Sequence, residues 1–513
     1  MGQTGVWYQE DFWSRLKCGA RRLIPGPIRS RAGGWLRAWM PYSWQMGSAF
    51  RSAYSLLEKS QWWSEERILA YQLDRLREVV YHAGKNVPGY RLKFAEHKVG
   101  PESISALDDI RRFPCLTKED LRNDPELYVA ETIPKERLQY VTSGGTTGAP
   151  TGFYHISQYN DDLAAAFRLM MWKRIGYTPR SRALDLTASF EGGLLHHAPD
   201  GNLLWVSISA LDSRRFPSYL DAIRDFRPEF IIGFPSTVTL FAQLARDFRI
   251  SGVQIRGVIT ASEVMHQAQR RYISEVFRCR ILQWYGLAEY AGFASGCEHS
   301  DEYHFFPECG HVELLDAQGS PVMEEGATGE IVLTGFHNWA TPFIRYRTGD
   351  RGAWGKRRCG WCGRNYPTLK EISGRIQEFL VARNGRLIPS SALNVHSGLF
   401  DQVWCYQFYQ ESPGKVVLNI QKKPSYEAST TESIRQHVLE RLGGEVELEI
   451  RFVEEIPRTQ RGKHKFIVQK LPAVGRGSPA AWPSPSGQDT YLGSMGAGRG
   501  HALVQPDMVN RER

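Results

Sequence analysis

Short apolar runs recur through the middle of the chain with helical stretches set between them. This alternation limits the fold more than any other feature. The runs are RALDLTA, NLLWVSI, FIIGFPS, IRGVITA and RILQWYG, and they read as short β segments. Stretches such as LFAQLARDF and HQAQRRYISEVF separate several of them and read as helices. Strands alternating with helices predict an α/β architecture with parallel strands. Further on, HVELLD and GEIVLTG lie among charged, turn-rich residues and predict an antiparallel portion.

The chain has 513 residues, 42% hydrophobic and 23% charged, enough for a substantial core and two to four domains. Residues 1–64 are expected to form a Trp-rich extension, with WLRAWM and SQWW, that covers the main domain. Residues 65–372 are expected to form a large domain of several subdomains with mixed and parallel sheets. A helical rhythm at Ile68, Leu69, Leu73, Leu76 and Val79 opens it. Thr117 and Asp120 resemble a capping box, and residues 157–174 read as helix. A break is expected near Ser373-Gly374. Beyond it, residues 373–475 read as a small mobile α+β domain, with a hairpin turn at Asn384-Gly385 and a helix at 430–442. The Gly-, Ser- and Pro-rich residues 476–513 read as a disordered tail.

The formal charge of +9 comes from 64 Lys+Arg against 55 Asp+Glu. Such an excess suits anionic ligands. There is no concentrated Lys/Arg block with interleaved aromatics, so no nucleic-acid partner is expected. No apolar run approaches a membrane span, and the N-terminus lacks an uninterrupted apolar h-region. With eight sparse cysteines, the chain reads as cytoplasmic.

Two stretches carry candidate chemistry. YVTSGGTTGAPTG, Tyr140–Gly152, is rich in glycine and hydroxyls and carries no charge. A glycine-rich loop between a strand and a helix can turn backbone N–H groups toward phosphate oxygens. The candidate phosphate residues are Ser143, Gly144, Gly145, Thr146, Thr147 and Gly148; an ordinary turn is the competing reading. The loop is neither a Walker A loop nor a dinucleotide fingerprint. The second stretch is Cys359-Gly-Trp-Cys362, spaced as a metal knuckle or as a redox pair. With Cys297 and His304 it would complete a Cys₃His set suited to structural zinc. Cys309 is the competing ligand.

SGGTTGAP resembles the pyrophosphate-gripping loop of the adenylate-forming superfamily, which includes acyl- and aryl-CoA ligases. Further motifs follow in that family's order: ASE at 261–263, WYGLAE at 284–289, YRTGD at 346–350, SGR at 373–375 and PRTQRGK at 457–463. The upstream piece NVPGYRLKF…SISALDDIRRFPCLTKEDLRND is similar to the N-terminal region of the phenylacetate–CoA ligase branch. That branch also holds the CapK-like proteins of capsule and polysaccharide gene clusters. The resemblance covers roughly residues 65–472.

The resemblance implies a two-step reaction. A carboxylate attacks the α-phosphorus of ATP, giving an acyl adenylate and pyrophosphate. Coenzyme A, or else an amine or hydroxyl acceptor, then displaces AMP. The resemblance makes Lys463 the residue bridging carboxylate and α-phosphate, and Glu289 the carboxylate holding Mg²⁺. Asp350 would accept the ribose hydroxyls. Tyr285 and Gly286 would flank adenine, Glu263 would shape the nucleotide pocket, and Arg375 would approach ribose or phosphate near the hinge. Phe190, His196 and Phe234 occupy places similar to acid-pocket stretches and suit an aromatic or apolar acid. The sequence departs from the family at Thr151, where lysine is frequent, at Ala288, where Thr or Ser is common, and at Gln377, where the hinge aspartate is usual. A non-catalytic nucleotide-binding scaffold remains a rival reading, and a homodimer is left open.

Overall fold

The structure, a computed structural model, describes residue 42 and residues 46–143, 151–187, 194–198, 201–207, 211, 215–356, 358–375, 379–384, 387–389, 402–442, 445–458 and 464–471. These residues belong to one unit, Met1–Gly475; the 476–513 tail lies outside the described residues.

Helices α1 (Ser48–Ser60) and α2 (Glu65–Asn86) come first. The Ser64 side chain caps α2 by accepting the Arg67 N–H. Ile68, Leu76 and Val79 point inward as the periodicity predicts, whereas Leu69 faces solvent. Part of the expected N-terminal extension is core. Phe50 and Leu57 of α1 are buried with Phe167, Met171 and Cys309. Burying two such side chains contributes about 1.5–3 kcal/mol each. Helix α3 (Lys118–Asn123) carries the expected cap: the Thr117 hydroxyl accepts from Asp120 N, and the Asp120 carboxylate accepts from Thr117 N.

Strands β1 (Leu138–Ser143) and β2 (Thr151–Ile156) form an antiparallel hairpin, and α4 (Tyr159–Lys173) follows β2. Next come β3 (Ala183–Leu186), β4 (Leu195–His197), β5 (Leu203–Val206), α5 (Leu220–Phe226), β6 (Phe230–Gly233), α6 (Pro235–Asp247), β7 (Gly257–Ala261), α7 (Gln267–Phe277) and β8 (Arg280–Gly286). The antiparallel portion follows with β9 (Phe293–Ser295), β10 (Tyr303–Phe305), β11 (Gly310–Leu315), β12 (Thr328–Gly335), β13 (Tyr346–Trp354) and β14 (Thr368–Arg375).

Among the described residues these strands join in one twelve-stranded sheet, ordered β11-β12-β13-β14-β10-β9-β8-β7-β6-β3-β5-β4. The run β8-β7-β6-β3-β5 is parallel, and β8–β9 begins the antiparallel half. The parallel strands read as continuous apolar runs because helices cover both faces. Ligands of such sheets gather at the carboxyl ends of the parallel strands, where β6, β7 and β8 here deliver Phe234, Glu263 and Tyr285.

A smaller lobe comprises β15 (Phe379–Val381), β16 (Leu387–Pro389), β17 (Val403–Ser412), β18 (Lys415–Lys422), α8 (Ala428–Leu442), β19 (Glu447–Phe452) and β20 (Ile467–Gln469). Its sheet runs β19-β18-β17-β20 over a core that includes Leu380, Phe408, Leu418, Ile434 and Val438. A break was expected near Ser373-Gly374. Both residues continue β14, with Gly374 opposite Arg351 and Arg375 opposite Asp350. No described helix is long and apolar enough to cross a membrane.

Candidate functional site

The upstream segment is laid along β13 by backbone pairing. Leu116 N donates to Arg345 O at 3.2 Å, and Arg347 N donates to Leu116 O at 2.9 Å. The buried Arg345 guanidinium pairs with Glu313 and also donates to the carbonyls of Arg111 and Phe113. This arrangement brings Lys118, at the start of α3, to YRTGD, where its ammonium donates to Thr348 O.

Three predicted residues meet there. Tyr285, at the end of β8, donates its hydroxyl to Asp350 Oδ2 at 2.8 Å, and its ring lies 6.1 Å from that of Phe305. Tyr346 donates to Glu289 Oε1 at 2.9 Å. Glu289 is buried, and burial raises its carboxyl above the usual range. Its own backbone N–H, Tyr346 and Lys118 pull it back, while Asp350 raises it further. A hard oxygen ligand held in this way suits a magnesium ion, which needs only one or two protein carboxylates. Gly286 must be glycine, because a Cβ there would lie 2.8 Å from both Phe293 and Trp284. Gly349 has φ +75°, a left-handed turn that presents Asp350. Arg375 is opposite Asp350 in the strand register.

The glycine-rich stretch sits differently from expectation. Ser143 pairs with Thr151, so the stretch runs between two antiparallel strands, where a place between a strand and a helix was expected. Gly144, Gly145, Thr146, Thr147 and Gly148 lie outside the described residues. Thr151 is buried on β2. Lys118, which sequence reasoning did not single out, puts a cation beside Thr348 O and Glu289. Its local signal was only a capped helix start.

Glu263 follows β7 through Ser262, whose φ of +69° is rare for a residue with a side chain. Its carboxylate accepts from Ser236 N, Ser236 Oγ and His464 N at 3.0, 3.1 and 2.8 Å. It therefore faces the small lobe, where a nucleotide-pocket role was expected. Lys463, one residue before His464, lies outside the described residues, as does Gln377.

Of the three acid-pocket residues, the two described, Phe234 and His196, stand at well-separated strands. Phe234 is buried at the head of α6, where its N–H donates to Thr237 Oγ1. His196 is exposed on the outermost strand, β4, stacked on Trp205 with centroids 5.5 Å apart. Three strand spacings separate β4 from β6, roughly 14 Å. Phe190 lies outside the described residues.

The cysteine–histidine set does converge. The ligand atoms of Cys297, His304, Cys359 and Cys362 all lie within 4.8 Å of one another. Cys297 Sγ and Cys359 Sγ are 3.9 Å apart, far beyond a disulfide. Tetrahedral zinc with Zn–S near 2.3 Å needs about 3.8 Å between sulfurs. His304 Nε2 is 3.4 Å from Cys362 Sγ. Its Nδ1 lies 2.9 Å from Glu302 O, a carbonyl that can only accept, so Nδ1 carries the hydrogen and Nε2 offers its lone pair. Cys297 Sγ accepts the backbone N–H groups of His299 and Ser300, which favours a thiolate. Arg364 pairs with Glu298 at 2.7 Å and donates to Gln61, linking this corner to the end of α1. Cys309 instead lies in the core with Phe167 and directs its thiol to Tyr290 O.

The chain matches the family profile of AMP-binding enzymes over residues 91–340 and that of the CapK C-terminal domain over residues 380–470. It is 30% identical to the phenylacetate-coenzyme A ligase of Escherichia coli K12 over 343 residues, covering 64% of this chain and 75% of that one. It is 22% identical to Protein CapK of Staphylococcus aureus over 426 residues, covering 78% of this chain and 89% of that one. The crystal structure of 2-hydroxyisobutyryl-CoA ligase in the postadenylation state with 2-HIB-AMP shares the fold. Its TM-score is 0.64 at 20% identity, covering 80% of this chain and 93% of that one.

Proposed function

This chain belongs to the phenylacetate–CoA ligase and CapK branch of the adenylate-forming enzymes, and from that premise we propose that it activates a carboxylic acid with ATP and passes the acyl group to coenzyme A. The observation that carries the reading is the convergence of Tyr285, Asp350, Glu289, Tyr346 and Lys118 from separate elements. A carboxylate oxygen attacks the α-phosphorus, the bond to the bridging oxygen breaks, and pyrophosphate leaves. The thiolate of coenzyme A then attacks the acyl carbon, and AMP leaves.

Asp350, oriented by Tyr285, accepts the ribose hydroxyls. Lys118 supplies positive charge beside the phosphates. Lys463 brings a second cation from the small lobe to the carboxylate and α-phosphate. Pre-placed charge of this kind lowers the barrier without reorganisation at the moment of reaction. Glu289 would hold Mg²⁺, which neutralises phosphate charge when bound. Cys297, His304, Cys359 and Cys362 would hold zinc in a closed Cys₃His shell with no open position, so its role is structural.

The match to the CapK C-terminal domain favours a second reading, in which an amine or hydroxyl replaces coenzyme A as acceptor. Pyrophosphate release with a panel of aromatic and aliphatic acids, with and without coenzyme A, separates the two. Acid-dependent release with thioester formation supports the first reading. Release with no thioester, and an ester or amide product, supports the second. No acid-dependent release would sink both.

A further inference from the structure

We infer that Glu263 is a positioning residue for adenylation, a catch on the core that holds the small lobe through His464 and, by way of Ser236, Arg458. The inference rests on the adenylating reading above. Residues Arg458 and His464 pair as an antiparallel bridge, so both belong to one stem of the small lobe. Lys463 is joined to that stem by a single peptide bond.

The catch is largely preassembled. Gln283 on β8 donates to Glu263 O at 3.1 Å and fixes its backbone beyond the left-handed Ser262. Glu263 Oε2 accepts the Ser236 N–H, a first-turn donor of α6 with no partner inside the helix. A carboxylate is favoured at that helix end. Glu263 Oε1 accepts from both Ser236 Oγ and His464 N. Arg458 Nη1 in turn donates to Ser236 Oγ at 3.3 Å. The core's own donors would still hold the carboxylate if the lobe swung away. At the catch itself the bonds to His464 and Arg458 would be lost; the Lys423–Asp247 pair and the Gln243 bond to Val403 O are further contacts between lobe and core. A carboxylate with donors remaining in both states can engage and release reversibly, and the second half-reaction requires such release if coenzyme A enters past the lobe.

Glu263→Gln tests the catch with little change of shape. The amide keeps one acceptor oxygen but turns N–H donors toward the Ser236 and His464 donors. Ser236→Ala removes the hydroxyl shared with Arg458 and serves as the second variant. Three measurements on the full chain are needed: ATP–pyrophosphate exchange, consumption by coenzyme A of a presynthesised acyl adenylate, and tryptic cleavage after Arg458. Both variants are expected to lower exchange kcat on the order of tenfold to a hundredfold with acid KM little changed. The thioester half-reaction should stay within about threefold, and cleavage at Arg458 should quicken about fivefold or more. An equal fall in both half-reactions, or unchanged cleavage in both variants, would overturn the inference. Cleavage needs no substrate, so it decides the catch even if no acid supports exchange in the wild type.

Discussion

Tyr285 donates its hydroxyl to Asp350 Oδ2 at 2.8 Å, joining residues 65 positions apart in the sequence. The bond fixes the orientation of the carboxylate proposed above to meet the ribose hydroxyls. Tyr285→Phe keeps the ring beside Phe305 and removes only the donor. ATP KM should rise about tenfold, since a hydrogen bond to a charged group contributes about 1.5–3 kcal/mol. The melting temperature should shift little. Isotope-exchange kinetics at varied ATP check this, and an unchanged KM would refute it.

Lys118 is proposed above to supply positive charge beside the phosphates, where Thr151 is neutral. Lys118→Met should lower pyrophosphate exchange by about a hundredfold, the scale of losing one well-placed electrostatic contact. Acid binding should change far less. A fall under threefold would show that Lys118 serves only its contact with Thr348 O.

Purified protein should carry about one zinc per chain, measured by elemental mass spectrometry. Cys362→Ser should lose most of it and lower the melting temperature by about 5 °C or more. If the sulfurs were a redox pair, reductant would change activity and metal content would stay near zero.

Acid should destabilise the fold through its buried histidines. Burial pushes His266 and His337 down to about 4 from an ordinary value of 6.5. The folded state therefore binds fewer protons than the unfolded state between those values. Their contribution is complete above pH 6.5 and is lost as pH falls toward 4, roughly 1.4 kcal/mol per pKa unit for each group. His337→Gln should flatten that slope in urea unfolding followed from pH 7 to pH 4.5. An unaltered slope would exclude His337 as a source.

The parallel half of the sheet was legible because buried strands write themselves as short apolar runs between helices. The Cys359–Cys362 half of the cysteine–histidine cluster was legible because CxxC spacing is local. The hairpin under the glycine-rich loop was not, since TGFYHI carries no clean alternation and is almost wholly buried. Lys118 and the inward face of α1 escaped for another reason: each depends on a partner hundreds of residues away. Glu263 was singled out from its motif. Which neighbour it would face was not legible, because its donors come from α6 and the small lobe.

The spacing of the four proposed zinc ligands along the chain sets an order on biosynthesis. Cys297 and His304 leave the ribosome first, and Cys359 and Cys362 emerge only after β11, β12 and β13 have been made. A nascent chain lacks the complete ligand set until β13 is finished. Metal capture at the proposed site would then be a late event, and zinc shortage would be felt after most of the large domain has already been synthesised.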